Sequence, residues 1–219
     1  MMIDWKKIDT VLLDMDGTLL DLNFDNYFWN EFVPLKFAER KGINLISAKQ
    51  QLKPNFKRME GQLEWYCLDY WSRELQLDIA GLKAEISGLI SVLPHVTEFL
   101  EKLQKTTKKI LLVTNAHPDS LGLKMEKTCL QFFFDEIISS HNFGAPKESA
   151  VFWKLLSQQQ EFDNNNTLLI DDSISVLNAA RLYGIRNLIA VSKPDSIMPI
   201  KQIIGYPAIV DFRTLMVGL

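Results

Sequence analysis

The sequence predicts an α/β protein: a Rossmann-like parallel sheet with helices on both faces, interrupted by an inserted all-helical cap. Two patterns carry this expectation. Apolar runs at 10–13, 109–113 and 167–170 each end on polar side chains, as buried parallel strands do where they open onto a ligand-binding edge. Between the first and second runs, residues from about 20 to 93 place their apolar side chains at helical spacing instead.

The first run leads into Asp14-Met15-Asp16-Gly17-Thr18. A strand that stops at a glycine turn exposes the residues at its end, and here those residues include two carboxylates one position apart. Alone, the segment passes for a solvated turn, in which Asp and Gly are ordinary. Like charges at this spacing nevertheless disfavour each other's ionised form unless a cation or proton lies between them, so the pair asks for a metal. Four helices are predicted next, over 26–41, 48–59, 63–74 and 79–89. Pro34 and Pro54 should bend or split the first two, because an interior proline lacks the amide donor and crowds the preceding turn.

After Pro94 the pattern alternates: helix 96–104, strand 109–114, helix 120–130, strand 136–140, helix 149–160, strand 167–171, helix 173–183 and strand 187–191. The strand at 109–114 ends on Thr114 and Asn115, Lys147 follows Pro146 ahead of a helix, and the strand at 167–171 ends on Asp171 and Asp172. Each alone is ordinary: a strand-end hydroxyl, a surface lysine, a helix-capping acid. Their order along one sheet edge is that of a phosphate-handling site.

Composition sets the outer bounds. A chain of 219 residues, 47% hydrophobic, has room for one core with an insertion. We divide it into a core of residues 1–20 and 94–219 and a cap of residues 21–93. The net charge of −3 gives no reason to expect a polynucleotide or an acidic membrane as partner. Cys67 and Cys129 are far apart and outside any C-x-x-C spacing, and His95, His117 and His141 are scattered, so neither a disulfide framework nor structural zinc is expected. The start, Met1-Met2-Ile3-Asp4-Trp5-Lys6-Lys7, has no signal-peptide core, and no run approaches the ~18 apolar residues of a membrane span. The sequence reads as cytoplasmic.

Asp14-Met15-Asp16-Gly17-Thr18, Thr114, Lys147 and Asp171-Asp172 resemble, in that order, the four motifs of the haloacid dehalogenase-like hydrolase superfamily, over about 10–191. Segments 11–22, 24–29, 65–71 and 114–118 are similar, more narrowly, to bacterial purine-nucleotide 5′-phosphatases acting on GMP and IMP. The resemblance implies a Mg²⁺-dependent phosphatase working through an aspartyl-phosphate. Phosphoryl transfer needs an in-line nucleophile, charge neutralisation and a proton for the leaving group. Asp14 is then the nucleophile, Asp16 the general acid and later base, Thr114 and the amides near Asn115 the phosphate cradle, and Lys147 the compensating cation. Mg²⁺ would be held by Asp14, the main-chain carbonyl of Asp16 and Asp171, with Gly17, Thr18 and Asp172 beside the site. For Asp172 three roles stay open: a water-mediated metal contact, orientation of Lys147, or capping of the next helix. His117 is expected to start a helix.

Selectivity is expected from the cap, whose aromatic residues mostly form its own core. Phe24, Tyr27, Trp65 and Tyr66 are candidates for contacting a base, and Arg58 for a cap cation. The expected partner is a small phosphate ester, with a sugar phosphate as the alternative to a purine nucleotide; the oligomeric state is open. A haloalkanoate dehalogenase would need no acid at Asp16, and a phospho-accepting signalling domain would need neither that acid nor a helical insertion.

Overall fold

Strand β1 (Thr10–Leu13) lies inside a six-stranded, wholly parallel sheet in the computed structural model, which describes residues 3–219. The other strands are β2 (Lys109–Thr114), β3 (Glu136–Ser139), β4 (Thr167–Asp171), β5 (Asn187–Val191) and β6 (Ala208–Ile209), in the order β3-β2-β1-β4-β5-β6. From β1 the chain moves outward through β2 and β3, then crosses back to lay β4 on the other side. β1 therefore sits where the strand order reverses, the place at which open α/β sheets bind ligands. Leu13 is in register with Leu112 on one side and Ile170 on the other, so residues just past β1 stand between the ends of β2 and β4. The short β6 and the 3-10 turn at Phe212–Met216 lie beyond the elements that the sequence predicts.

The insertion contains α1 (Asn23–Tyr27), α2 (Val33–Lys41), α3 (Leu45–Met59), α4 (Leu63–Tyr66), α5 (Leu68–Leu75) and α6 (Ile79–Glu85). The core helices are α7 (Val96–Gln104), α8 (Pro118–Thr128), α9 (Ala150–Gln159) and α10 (Ile174–Tyr183). Strand alternation divides the core. Val11 and Leu13 pack with Phe99, Leu100 and Phe212 on one face, and Leu12 packs with Phe152, Trp153 and Leu177 on the other. A third apolar cluster, with Phe28, Phe37, Leu52, Trp71 and Ile79, draws only on the insertion.

Proline acts differently at its two cap positions. Pro34 falls in the first turn of α2, where its missing amide has no partner to lose. The π-helical segment Phe28–Phe32 before it, closed by Val33 N on Phe28 O, absorbs the change of register. Pro54, by contrast, sits within an unbroken α3, so the expected split is absent there. Pro54 and Gln50, whose carbonyl it leaves without a donor, are both exposed, and water can serve that carbonyl. Helix 63–74 is in fact two pieces, separated by Cys67 in an extended conformation that caps α5 through Sγ and Tyr70 N, 3.4 Å. Helix 79–89 ends at Glu85 and continues as a 3-10 turn, Ser87–Leu89. Both breaks preserve the apolar spacing, which is why periodicity does not reveal them.

The insertion leaves and re-enters the core at one place. Leu93 N donates to Leu19 O and Asp21 N to Ser91 O, each at 2.9 Å, and Leu20 bridges Val92 in antiparallel sense. Among the described residues no helix is long and apolar enough to cross a membrane; Met1 and Met2, part of the N-terminal reading, lie outside them.

Candidate active site

Asp14 follows β1, and its N–H donates to Ile170 O at 3.0 Å, which brings it level with Asp171 at the end of β4. Lys147 enters from the loop before α9 and is buried between them. Its Nζ donates to Asp14 Oδ1 at 2.5 Å, Asp171 Oδ2 at 2.8 Å and Val113 O at 2.9 Å. Every donor of the ammonium is thereby used, and the charge is fixed in place. The lysine backbone is pinned as well, through Lys147 N to Asn115 Oδ1 (2.9 Å) and Trp153 Nε1 to Lys147 O (2.7 Å). Asn115 Nδ2 donates to Glu148 Oε2 at 3.0 Å. Its side chain thus holds the lysine loop, and its main chain is what it offers the cavity. Thr114 is buried at the end of β2, its Oγ1 accepting from Ala116 N at 3.0 Å.

Asp14, Asp171 and Asp172 each bring a carboxylate oxygen within 4.8 Å of the others. Burial pushes Asp14 up to about 7, with Lys147 pulling it down and Asp171 pushing it further up. Burial raises Asp171 to about 6 and Asp172 to about 7, each with help from a neighbouring acid. Burial works against the Lys147 ammonium, yet Asp14 and Asp171 outweigh it and hold the group charged. Crowded, desolvated carboxylate oxygens are the donor set that a hard divalent cation satisfies, so these residues fit Mg²⁺. Gly17 makes the crowding feasible: its φ is +81°, and a Cβ there would stand 2.7 Å from Asp172 Cγ. Asp172 does not cap α10. Ser173 does, its Oγ accepting from Val176 N at 3.4 Å, while Asp172 Oδ2 faces Lys201 Nζ at 3.5 Å. Thr18 is buried next to Gly17, its Oγ1 without a partner among the described residues.

Around Asp16 the structure adds residues that the sequence reading missed. Lys124 Nζ donates to Asp16 Oδ1 and Asp25 Oδ2, both at 2.6 Å, and Lys83 Nζ donates to Asp25 Oδ1 at 2.5 Å. Asp16, Lys124, Asp25 and Lys83 alternate in sign and sum to zero. Burial raises the Asp16 carboxyl against the pull of Lys124. Asp25 is also opposed by burial, but Lys124 and Lys83 together hold it well below the usual carboxylate range. Burial lowers Lys83, whereas the two acids outweigh burial at Lys124 and raise it. Each lysine sits on a helix where it reads as part of a solvated face. Their burial arises only where α6 of the cap meets α8 of the core, a contact without local signal. Lys147, the cation that the motifs name, is therefore accompanied by Lys124 and Lys83.

A cavity of about 790 Å³ joins Asp14, Asp16, Thr114, Lys147, Asp171 and Asp172 to a cap wall of Trp29, Phe56, Trp65 and Tyr66. Trp29 and Trp65 are near-parallel, with centroids 6.5 Å apart, and Phe56 stands edge-on to both at 5.7 and 6.0 Å. Trp29 and Phe56 are not among the base-contact candidates that the sequence suggests. Three of the expected cap residues do not line the cavity. Phe24 follows the loop at 14–18 closely, but α1 turns it inward, beneath Lys83 and Lys124 at 4.8 and 5.3 Å from its ring centroid. Tyr27 stacks on Phe32 at 6.3 Å, and Arg58 points to solvent. Tyr66 lines the cavity, its hydroxyl donating to Glu148 Oε1 of the core at 2.7 Å. His117 starts α8 as expected, Nδ1 accepting from Asp119 N at 3.4 Å.

The sequence pattern of the haloacid dehalogenase-like hydrolases matches residues 11–190. The GMP/IMP nucleotidase YrfG of Escherichia coli (strain K12) is 41% identical over 217 residues, 99% of this chain and 98% of that protein; its Shigella flexneri counterpart is equally similar. Among solved structures, a HAD phosphatase from Thermococcus onnurineus superposes with a TM-score of 0.76 at 20% identity, covering 92% of this chain and 93% of the other. The magnesium-bound HAD-hydrolase YfnB from Bacillus subtilis gives 0.63 at 20% identity, covering 92% and 94%. A family pattern that spans residues 11–190 and 41% identity to a nucleotidase over nearly the whole chain agree, and the chain belongs to the haloacid dehalogenase-like hydrolase family.

Proposed function

We propose that the protein is a Mg²⁺-dependent phosphoric monoester hydrolase that works through an aspartyl-phosphate and acts on purine nucleoside 5′-monophosphates, GMP and IMP foremost. One observation carries the reading: the crowded acids with Lys147 and the aromatic wall of the cap line one and the same cavity of about 790 Å³. That volume falls within the ~300–1,000 Å³ of small-molecule sites. The 41% identity to a GMP/IMP nucleotidase supports the choice of purine.

The chemistry follows from the contacts. Lys147 engages Oδ1 of Asp14, which leaves the other carboxylate oxygen to attack phosphorus in line and form the acyl-phosphate. Lys147, Thr114 and the main chain at Asn115 offset charge on the phosphoryl oxygens. Asp16, anchored by Lys124, delivers a proton to the leaving oxygen and then takes one from the attacking water. Asp14, Asp171 and the main-chain carbonyl of Asp16 would hold Mg²⁺, which supplies electrostatic stabilisation of the transferring group when bound. Residues 21–93 act as the cap, with Trp29, Phe56 and Trp65 contacting the base. A dehalogenase has no use for the Asp16 proton, and a signalling domain has none for an enclosed aromatic wall.

The test is inorganic phosphate release, with Mg²⁺, from a panel of nucleoside monophosphates, sugar phosphates and a small aryl phosphate. We expect higher kcat/KM for GMP and IMP than for CMP, UMP or sugar phosphates, and no turnover by Asp14→Asn. Trp65→Ala should lower GMP turnover more than aryl phosphate turnover, since a stacked base is worth ~1–3 kcal/mol. A sugar phosphate at the head of the panel would replace the purine reading, and turnover by Asp14→Asn would remove the mechanism.

A further inference from the structure

Cys67, His117 and His141 are remote in sequence, and their spacing suggests no ligand set. The fold nevertheless assembles them. Cys67 lies in the break between α4 and α5 of the cap, His117 at the start of α8, and His141 in the 3-10 turn Ser140–Phe143 that follows β3. A donor atom from each lies within 4.8 Å of the others, and the two imidazole centroids are 5.0 Å apart. Asp69 Oδ2 stands 3.8 Å from His117 Nε2. His141 Nε2 is buried and has no hydrogen-bond partner among the described residues. A buried ring nitrogen without a partner is unfavourable, and a metal bond would satisfy it.

We propose that Cys67, His117 and His141, with Asp69 as fourth ligand, form a site for a borderline-soft divalent transition metal of the Zn²⁺ class that ties the cap to the core. One sulfur, two imidazoles and a carboxylate suit Zn²⁺, and they contrast with the all-oxygen set at Asp14 and Asp171. Ligands at ~2.0–2.3 Å around a tetrahedral metal stand roughly 3.3–3.8 Å from one another, so the Cys67, His117 and His141 donors, already within 4.8 Å of one another, need to draw in by only about 1 Å, and Asp69, 3.8 Å from His117 Nε2, closes on them from the cap. Asp119 N donates to His117 Nδ1 in this structure; ligation through Nε2 requires the other tautomer, with Nδ1–H turned to Asp119 Oδ2, 3.6 Å away, as the outer carboxylate that orients the ring. Cys67 and Asp69 belong to the cap, and His117 and His141 to the core. Occupancy therefore clasps the cap down beside Thr114 and Asn115 and slows exchange of substrate and product. This effect on turnover rests on the phosphatase reading; metal binding itself does not.

The test uses the full chain, saturated with Mg²⁺ to fill the carboxylate site and titrated with Co²⁺ as an optical stand-in for Zn²⁺. One Co²⁺ per chain should bind with thiolate-to-cobalt charge-transfer absorption and intense tetrahedral bands, and Zn²⁺ should displace it. Cys67→Ser should abolish the charge-transfer band, His141→Gln should weaken Co²⁺ binding by about 10- to 100-fold, and Cys129→Ser, at the exposed second thiol, should change nothing. Cobalt bound without that band, or a band that survives in Cys67→Ser or vanishes in Cys129→Ser, overturns the site. Micromolar Zn²⁺ should slow phosphate release by the wild type but not by Cys67→Ser, whose basal rate reports that it is folded. Binding without slowing overturns the clasp. A protein that shows the cobalt spectrum but hydrolyses no phosphate ester refutes the phosphatase reading and leaves the metal site standing.

Discussion

Lys147 shows how a single residue can be both ordinary in sequence and decisive in space. Read alone it is a lysine after a proline; folded, each of its donors has a fixed acceptor. Asp172 is the opposite case, since the paired acids announce it but its role lies in the fold. With Ser173 capping α10, Asp172 is left as a buried carboxyl pushed up to about 7, whose only cationic hydrogen-bond partner among the described residues is the half-exposed Lys201. A carboxyl raised above its unfolded value of 3.8 binds more protons in the folded state between the two values. Stability therefore falls as pH rises through that window. Asp172→Asn should melt with the wild type near pH 4 and above it at pH 8 in chelator, by about 1 kcal/mol or roughly 2–4 °C for a domain of this size. Melting curves that coincide at both pH values would show that Asp172 carries no unfavourable charge.

Elements make a different kind of statement. Strands were legible because a fully buried parallel strand must be apolar through its middle, as β1, β2 and β4 are between their polar ends. Helix breaks were not, because the apolar stripe runs on through Cys67 and Ile86 regardless of which backbone bonds are missing. Pro54→Ala restores an amide to the exposed turn of α3 and should stabilise the protein by about 1–3 kcal/mol, read as a shift in urea midpoint; an unchanged midpoint would mean that α3 is already strained elsewhere. The contact between α6 and α8 is equally silent in sequence, since Lys83 and Lys124 look solvated until the two helices meet. Lys124→Met leaves Asp16 and Asp25 buried without their shared cation and should cost about 3–5 kcal/mol. Adding Asp25→Asn should recover part of that loss. Additive losses would mean that the two side chains do not act on each other.

At the scale of the whole molecule, the four motif sites converge because β1 lies where the strand order turns back, and that arrangement follows from motif order once the strands are assigned. Cap placement does not follow, because which aromatic residues face the sheet depends on a π segment and a docking angle that no local pattern encodes. The gathered acids also couple metal to stability. On the proposed reading Mg²⁺ binds the assembled pocket and not the open chain, so it should raise the melting temperature by mass action, ~2.7 kcal/mol at a hundredfold excess over Kd. Asp171→Asn should lose most of that gain, in thermal melts with chelator and with millimolar Mg²⁺. A full magnesium shift in the variant would place the metal elsewhere.

The register of β1 has a consequence in time. Leu13 finds its partners only at Leu112 and Ile170, so the central strand, made first, waits for about a hundred residues of translation, roughly 5–20 s at bacterial-type rates of ~5–20 residues per second. For most of that interval the ribosome delivers the insertion, which has an apolar cluster of its own, followed by the single core helix α7. The cap is thus placed to fold first, as a finished body hanging on the nascent chain, while Val11, Leu12 and Leu13 remain an unpaired, sticky edge until β2 emerges.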